Sequence, residues 1–508
     1  MTDAVVGVAA PSTGPEALDA HGSMAELFRA TASQYHSKTA IVYDETRLTW
    51  GDVERAVAGR MARLAQLEVT SGDAVVLLLP NTPAFAITFL ATISLGAVAV
   101  PLNPAYVPEE VARYIRNASA SCVVTTDEIA GRLRDALSVS GVKILVTERH
   151  GCEDSGTAEA SFPPVTLDTV ALYGYSSGST GEPKRVSRTH RNLIAESAGF
   201  TATVGVTSDD VVLAVVPLFH AHGLGNALMA AVRSGATLVM EEEFRRRPVL
   251  DLIARERVTV FPGVPFIFDA LADTKPSGVT DLTSLRLCFS AGAHLSPEIH
   301  RKFLDRHGAH VRQLYGCTEA GSVTINLDDD PTESVLSVGR PIGHGRVEVR
   351  DEDGRVCAPG VTGEIAISSP TLTQAYDGME EATRESFKDG WFITGDLGHL
   401  DGTGALYVTG RKKIFISTAG NKVDPVEVEQ VIAQHKDVSE VVVVGVTGPA
   451  GGGETVKAVV VAIGPCDRAE IIAFCRERLA EFKVPRIVEF RDAIPKNPLG
   501  KVLRKYLV

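Results

Sequence analysis

"DAVVLLLPNTPAFAITFLATISLGAVAVPLNP", residues 73–104, joins three apolar runs through two breaks, and no charged residue occurs from Ala74 to Pro108. A membrane span needs about 20 consecutive apolar residues, and "AFAITFLATISLGAVAVPL" (84–102) is nearly that. Asn81-Thr82-Pro83 punctuates its start and Gly96 interrupts it, while "AVAVPLNP" has the form of a buried strand ending in a turn. The stretch therefore predicts a strand, a core helix and a second strand, the repeating unit of a parallel sheet, with no membrane span.

The same alternation extends outward. Strand-like runs recur at "SCVVTT" (121–126), "KILVT" (143–147), "DVVLAVVP" (210–217), "TLVME" (237–241) and "LRLCFSAG" (285–292). Helical spacing occupies "TWGDVERAVAGRMARLAQL" (49–67) and "PEEVARYIRNAS" (108–119). Such alternation points to an α/β fold with largely parallel sheets and helices on their faces. After about residue 340 short β-rich segments take over, with a hairpin pattern around Asp353-Gly354 in "RVEVRDEDGRVCAPGVTGEIAIS". Beyond "GRKKIF" (410–415), helix and strand patterns in "DPVEVEQVIAQHKDVSEVVVVGV" and an amphipathic "DRAEIIAFCRERLAEFKVP" describe a separate small α+β unit.

At 508 residues, the chain is long enough for several domains of about 100–200 residues each. A net charge of −13 without a long basic run argues against a nucleic-acid surface. The seven cysteines (Cys122, Cys152, Cys288, Cys317, Cys357, Cys466, Cys475) include no Cys-x-x-Cys pair, so zinc and redox exchange are not indicated and reduced thiols are expected. Residues 1–22 read as a loose tail with an acidic Asp3 where a secretory signal would be positive, so a cytoplasmic protein is expected.

"YSSGSTGEPKRVSRTH" (175–190) gathers hydroxyls, glycines and a lysine, residue types that suit phosphate oxygens. It fails the Walker spacing, because Gly178, Gly181 and Lys184 lie three apart and Pro183 precedes the lysine. Taken alone, it fits a phosphate loop or a flexible turn. Further stretches decide between them: "YGCTEAG" (315–321), "GWFITGDLG" (390–398), "GRKKIFISTAGNKVDPVEVE" (410–429) and "IPKNPLGKVLRK" (494–505). Together with "YSSGSTGEPK" they resemble, in order, the motifs of the adenylate-forming superfamily of acyl-CoA synthetases, aryl-acid ligases and luciferases. "RLTWGDVERAVAGRMARLA" (47–65) extends the similarity toward the N-terminus, and the acyl-CoA synthetase branch is the most similar.

The resemblance implies a large N-terminal adenylation domain (23–410) of two α/β sheet subdomains plus a β-rich subdomain (about 335–410), then a mobile α+β domain (411–508) hinged at Lys413. It implies that ATP and a carboxylic acid give acyl-AMP and pyrophosphate, and that the acyl group passes to the thiol of CoA. Ser176, Ser177, Gly178, Ser179, Thr180, Gly181 and Lys184 would hold the β- and γ-phosphates, Thr318 would touch the α-phosphate, and Glu319 would hold Mg2+. Asp396 and Arg411 would bind the ribose, and Gly292, Ala293 and Tyr315 the adenine. Lys501 would bridge carboxylate and α-phosphate as these two anions meet, and Gly420 would face the thiol after domain rotation.

His220, Gly223, Val264, Phe266, Ser290 and Gly316 are the expected acid-pocket positions, although His220 and His222 also fit satisfied core histidines. The resemblance implies an Asp near "PLFHAHG" (217–223) in amino-acid activators and an Arg within 266–271 in the small-dicarboxylate branch. No Asp lies between Val211 and Arg233 and no Arg in 266–271, which disfavours amino acids and argues weakly against malonate-like acids. Gly223, Gly225 and Ala227 are read as leaving room for a bulky group, pointing to an aryl or medium-sized hydrophobic acid. Arg185 and Arg188 depart from the family pattern of Gly and an apolar residue; solvation is favoured over contact with a carrier or phosphate. Three other readings stay open: a ligase loading a carrier protein, an enzyme of one half-reaction, and a non-catalytic nucleotide-binding paralogue. Oligomeric state is not legible.

Overall fold

The computed structural model describes residues 21–106, 108–134, 137, 141–152, 162–176, 184–274, 281–411, 416–418, 421–423, 425–447, 454–479, 481–497 and 502–508. Packing divides the chain into two compact units, Met1–Arg346 with Ser368–Phe387, and Val347–Ile367 with Lys388–Val508. Sequence texture marks a boundary near 410, whereas contacts join the β-rich segment to the tail.

In the first unit the stretch at 73–104 forms strand Ala74–Leu78, helix Pro83–Ser94 and strand Val98–Pro101, with every residue of the helix buried. Proline at the first helical turn costs no hydrogen bond there, which explains the sharp start after Thr82. No helix among the described residues is long and apolar enough to cross a membrane. The two strands pair in parallel within a six-stranded sheet, where Cys122–Thr125, Lys143–Val146 and Val170–Ser176 are also parallel. Lys184–Thr189 closes one edge antiparallel to Val170–Ser176.

A nine-stranded sheet carries the rest of this unit. Its centre is parallel, through Thr39–Tyr43, Thr237–Met240, Val211–Ala214, Val260–Gly263, Leu287–Ser290 and Val311–Cys317. Helix Trp50–Gln66 starts with a capping box between Thr49 and Asp52 and buries Trp50, Val53, Val57, Met61 and Leu64. These side chains join Phe28, Phe85, Phe89, Phe200 and Phe289 in one apolar cluster; a second forms around Phe261, Phe268 and Phe303.

The second unit has an antiparallel sheet in which Gly363–Ser368, Trp391–Leu400 and Leu406–Arg411 are neighbours. The turn at Asp353-Gly354 is held by Asp351, whose Oδ1 accepts from the N–H groups of Asp353 and Arg355. The tail adds strands Val438–Thr447, Glu454–Ala462 and Ile487–Phe490 with helices Pro425–Ile432 and Arg468–Arg476, packed around Val428, Ile432, Val443, Val460 and Ile471. All seven cysteines are free.

Candidate active site

In an open parallel α/β sheet, ligands sit beyond the carboxyl ends of the strands. The first unit gathers its expected site residues there: Ser176 ends Val170–Ser176, Gly263 ends Val260–Gly263, Ser290 ends Leu287–Ser290, and Thr318 and Glu319 follow Val311–Cys317. Neighbouring strands hold these ends in register, with Gly263 opposite Ser290 and Ser290 opposite Gln313. Gly292 has a φ of 80°, backbone that an L side chain rarely adopts, and Ala293 beside it is exposed. Tyr315 and Gly316 lie on the strand itself, and a bulge between them brings Gly316 so close to the Gly321 carbonyl that no Cβ fits.

Ser176 pairs with Lys184, so the expected phosphate segment connects two adjacent strands. Its residues Ser177, Gly178, Ser179, Thr180 and Gly181 lie outside the described residues. A Cβ on Gly174 would come within 2.7 Å of Thr318 Cγ2, so the Thr318 methyl rests directly on the strand that enters the segment.

Glu319 is buried; its Oε1 accepts from Tyr376 Oη at 2.8 Å, and its carbonyl accepts from Thr373 N–H at 2.9 Å. Lys184 Nζ stands 4.3 Å from the centroid of the same tyrosine ring. Burial, then the Glu319 charge and hydrogen bond, raise the Tyr376 pKa and keep the phenol a donor. Tyr376 is missing from the sequence reading because only the tertiary fold brings "TQAYDG" (373–378) beside Glu319.

The solvated reading of the two arginines is corrected. Arg188 is buried, and its Nη1 lies 2.8 Å from Glu196 Oε2. Arg185 is partly buried, pairs with Asp377 at 3.2 Å and stacks over Tyr173 at 4.7 Å. Residues 371–377 run beside strand Lys184–Thr189, offering carbonyls and a carboxylate that cations can meet.

The two histidines separate. Asn226 Nδ2 donates to His222 Nδ1 at 2.9 Å, so the ring proton sits on Nε2 and donates to the Gly263 carbonyl at 2.9 Å. His222 is thereby a satisfied core residue. Among the described residues, His220 Nε2 is buried without a hydrogen-bond partner, as is Ser290 Oγ. Burial pushes the pKa of both histidines down to about 4, so both are neutral at pH 7.

The space attributed to the small residues of 223–227 is also corrected. A Cβ on Gly223 would strike the Val216 and Pro217 carbonyls, one on Gly225 would come 2.5 Å from Glu196 Oε1, and Ala227 is buried. The missing side chains make room for the protein's own atoms. Phe266 is 60% exposed and meets Phe244 edge-on at 5.8 Å, whereas Val264 packs partly against the second core cluster.

In the second unit Asp396 and Arg411 face each other across paired strands, with Arg411 Nε 2.5 Å from Asp396 Oδ1. Lys413, Gly420 and Lys501 lie outside the described residues.

Residues 28–377 match the AMP-binding enzyme family, and residues 427–501 match the AMP-binding enzyme C-terminal domain. The chain is 35% identical to a feruloyl-CoA synthase of Amycolatopsis sp, over 92% of this chain and 94% of that protein. It is 34% identical to the long-chain-fatty-acid–CoA ligase FadD13 of Mycobacterium tuberculosis, over 94% and 96%. The crystal structure of ATP-bound MatB from Rhodopseudomonas palustris superposes with a TM-score of 0.86 at 30% identity, covering 95% of this chain and 98% of that one. The chain belongs to the AMP-binding enzyme family. Within that family it is an AMP-forming acid–thiol ligase, which activates a carboxylic acid with ATP to acyl-AMP and transfers the acyl group to CoA.

Proposed function

We propose that adenylation takes place at the strand ends of the first unit and that the acid is aryl or medium-sized and hydrophobic. The observation that carries the site assignment is the clustering of Ser176, Lys184, Thr318 and Glu319, linked through Gly174 and Tyr376. Ser176 to Lys184 then hold the β- and γ-phosphates, with Ser177, Gly178, Ser179, Thr180 and Gly181 between them, and Thr318 meets the α-phosphate. Gly292, Ala293 and Tyr315 receive the adenine, and Asp396 with Arg411 the ribose.

Glu319 fits Mg2+ by donor chemistry: it is a buried carboxylate, the oxygen type hard cations prefer, and Tyr376 orients its Oε1. Mg2+ usually takes one or two protein carboxylates and fills its shell with phosphate oxygens and water. When bound, it would offset phosphate charge.

A carboxylate oxygen attacks the α-phosphorus, forming the O–P bond of acyl-AMP as the bond to pyrophosphate breaks. Attack of an anion on an anion requires cations at both partners, and Lys501 supplies the one they share. The thiol of CoA, having lost its proton, then attacks the acyl carbonyl and AMP leaves. Motion about Lys413 withdraws Lys501 and brings the Gly420 loop to the thiol.

The acid pocket draws on His220, Gly223, Val264, Phe266, Ser290 and Gly316. His220 Nε2 and Ser290 Oγ, both buried and unpartnered among the described residues, suit a substrate with polar atoms on an otherwise apolar body. Similarity to a feruloyl-CoA synthase supports an aromatic acid, and ferulate is the first candidate.

The test has two parts. Carboxylic acids from ferulate to long-chain fatty acids are screened for pyrophosphate release with and without CoA; release only with long-chain acids would overturn the substrate assignment. Lys501→Ala should lower ATP–pyrophosphate exchange by about 100-fold or more while leaving thioester formation from supplied acyl-AMP intact. Equal loss of both half-reactions would sink the role of Lys501.

A further inference from the structure

Arg188 and Glu196 form an ion pair whose side chains are only 2% and 1% exposed. The cavity beside it, lined in part by Glu196, Gly199, Ser322 and Thr371, measures about 10 Å³, space for a single water. A buried pair of this kind carries a desolvation penalty that an apolar pair of equal volume would avoid. The fold also gives up two side chains to accommodate it. A Cβ on Gly225 or on Gly321 would collide with Glu196 Oε1, and Gly321 has the left-handed φ of 68°.

The pair's other contacts explain the arrangement. Arg188 lies on strand Lys184–Thr189, which leaves the phosphate segment, and its Nη2 donates to the Thr371 carbonyl at 3.1 Å. Glu196 Oε1 accepts from Ser322 N–H at 3.2 Å, three residues beyond Glu319. Ser322 Oγ donates to Asn226 Oδ1 at 2.7 Å, and from Asn226 the chain runs through His222 to Gly263. One buried polar chain thus connects the phosphate-side strand, the turn carrying Thr318 and Glu319, and a strand end beside the acid pocket.

We propose that the Arg188–Glu196 pair is a positioning device that fixes the spacing between strand Lys184–Thr189 and the Thr318–Glu319 turn. It serves adenylation, where both must address one triphosphate, and is dispensable for thioester formation. The inference rests on the proposed assignment of Lys184, Thr318 and Glu319 to the phosphates.

The decisive variant is the double substitution Arg188→Met with Glu196→Gln. It removes both charges together, and the Gln oxygen still accepts from Ser322. Its melting temperature should stay near that of the wild type, because exchanging a buried ion pair for uncharged groups of similar size is often neutral. ATP–pyrophosphate exchange, with the acid selected by the wild-type screen, should fall roughly tenfold to a hundredfold with KM for ATP raised. Thioester formation from supplied acyl-AMP and CoA should be unchanged.

A double variant with wild-type exchange would overturn the proposal, and so would parallel loss of both half-reactions. Should the double variant not fold, Arg188→Lys decides on the same two readouts: partial exchange with full thioester formation supports positioning, and parallel loss refutes it. Glu319→Gln is the separate control. Exchange that survives it would refute the phosphate-site assignment, independently of the pair.

Discussion

Two arginine–carboxylate pairs, one in each unit, show how burial changes what the same chemistry does. Arg188 and Glu196 are both enclosed, and each carries a second fixed hydrogen bond. Asp396 is also largely enclosed, at 7% exposure, but Arg411 is 54% exposed and reaches it from solvent. A pair with both side chains shut off from bulk solvent is committed to one geometry, because either charge left alone has nowhere to go. An arginine at the surface can exchange its carboxylate for a ligand at little cost. The enclosed pair therefore suits construction, and the open pair is compatible with the ribose binding proposed for it.

Breaking each pair on one side tests this contrast. Arg188→Met alone strands Glu196 and should cost roughly 3–5 kcal/mol of stability, read by chemical denaturation. A stability matching the wild type would mean that Glu196 finds another partner.

The enclosed polar region of the first unit should also respond to pH. His190 is fully buried, its Nδ1 accepts from Met24 N–H at 3.1 Å, and desolvation pushes its pKa down to about 4. The unfolded chain binds this proton at about pH 6.5, so the contribution is complete above that value and is lost as pH falls, levelling off near 4. The loss is of order 3 kcal/mol, and His190→Gln should flatten the profile of melting temperature between those limits.

Tyr376→Phe removes the donor to Glu319 and leaves its oxygen unpaired, a cost of about 1–3 kcal/mol that should be accompanied by weaker Mg2+ dependence of exchange. Arg411→Ala, the smallest expected change in stability at about 0–1 kcal/mol, should instead raise KM for ATP. A large drop in melting temperature on Arg411→Ala would erase the contrast between the pairs.

Local pattern carried much of the architecture. The strands at 74–78, 98–101, 122–125, 143–146, 211–214, 237–240 and 287–290 fall within the runs read from hydrophobic periodicity, as do the helices at 50–66 and 108–118. Strand pairs Val170–Ser176 with Lys184–Thr189 and Val311–Cys317 with Gly321–Ile325 escaped that reading. Their residues mix Gly, Ser, Thr and charge, as suits strands that carry a site, so alternation is weak. The π-helical turn Leu224–Met229 left no periodic trace either.

The sequence by itself determined the α/β class, the ordered motifs and hence the family's chemistry, because these depend on residue types at short, fixed spacings. Only the tertiary structure decided the roles of Arg185 and Arg188, the difference between His220 and His222, the meaning of Gly223 and Gly225, and the partnership of Tyr376 with Glu319. Each of those depends on which groups lose water together and which surface supplies the missing hydrogen bond. Tyr376 and Glu319 stand 57 residues apart and Asn226 and Ser322 96 apart, separations at which side-chain pairing follows from packed sheets and not from neighbouring residues.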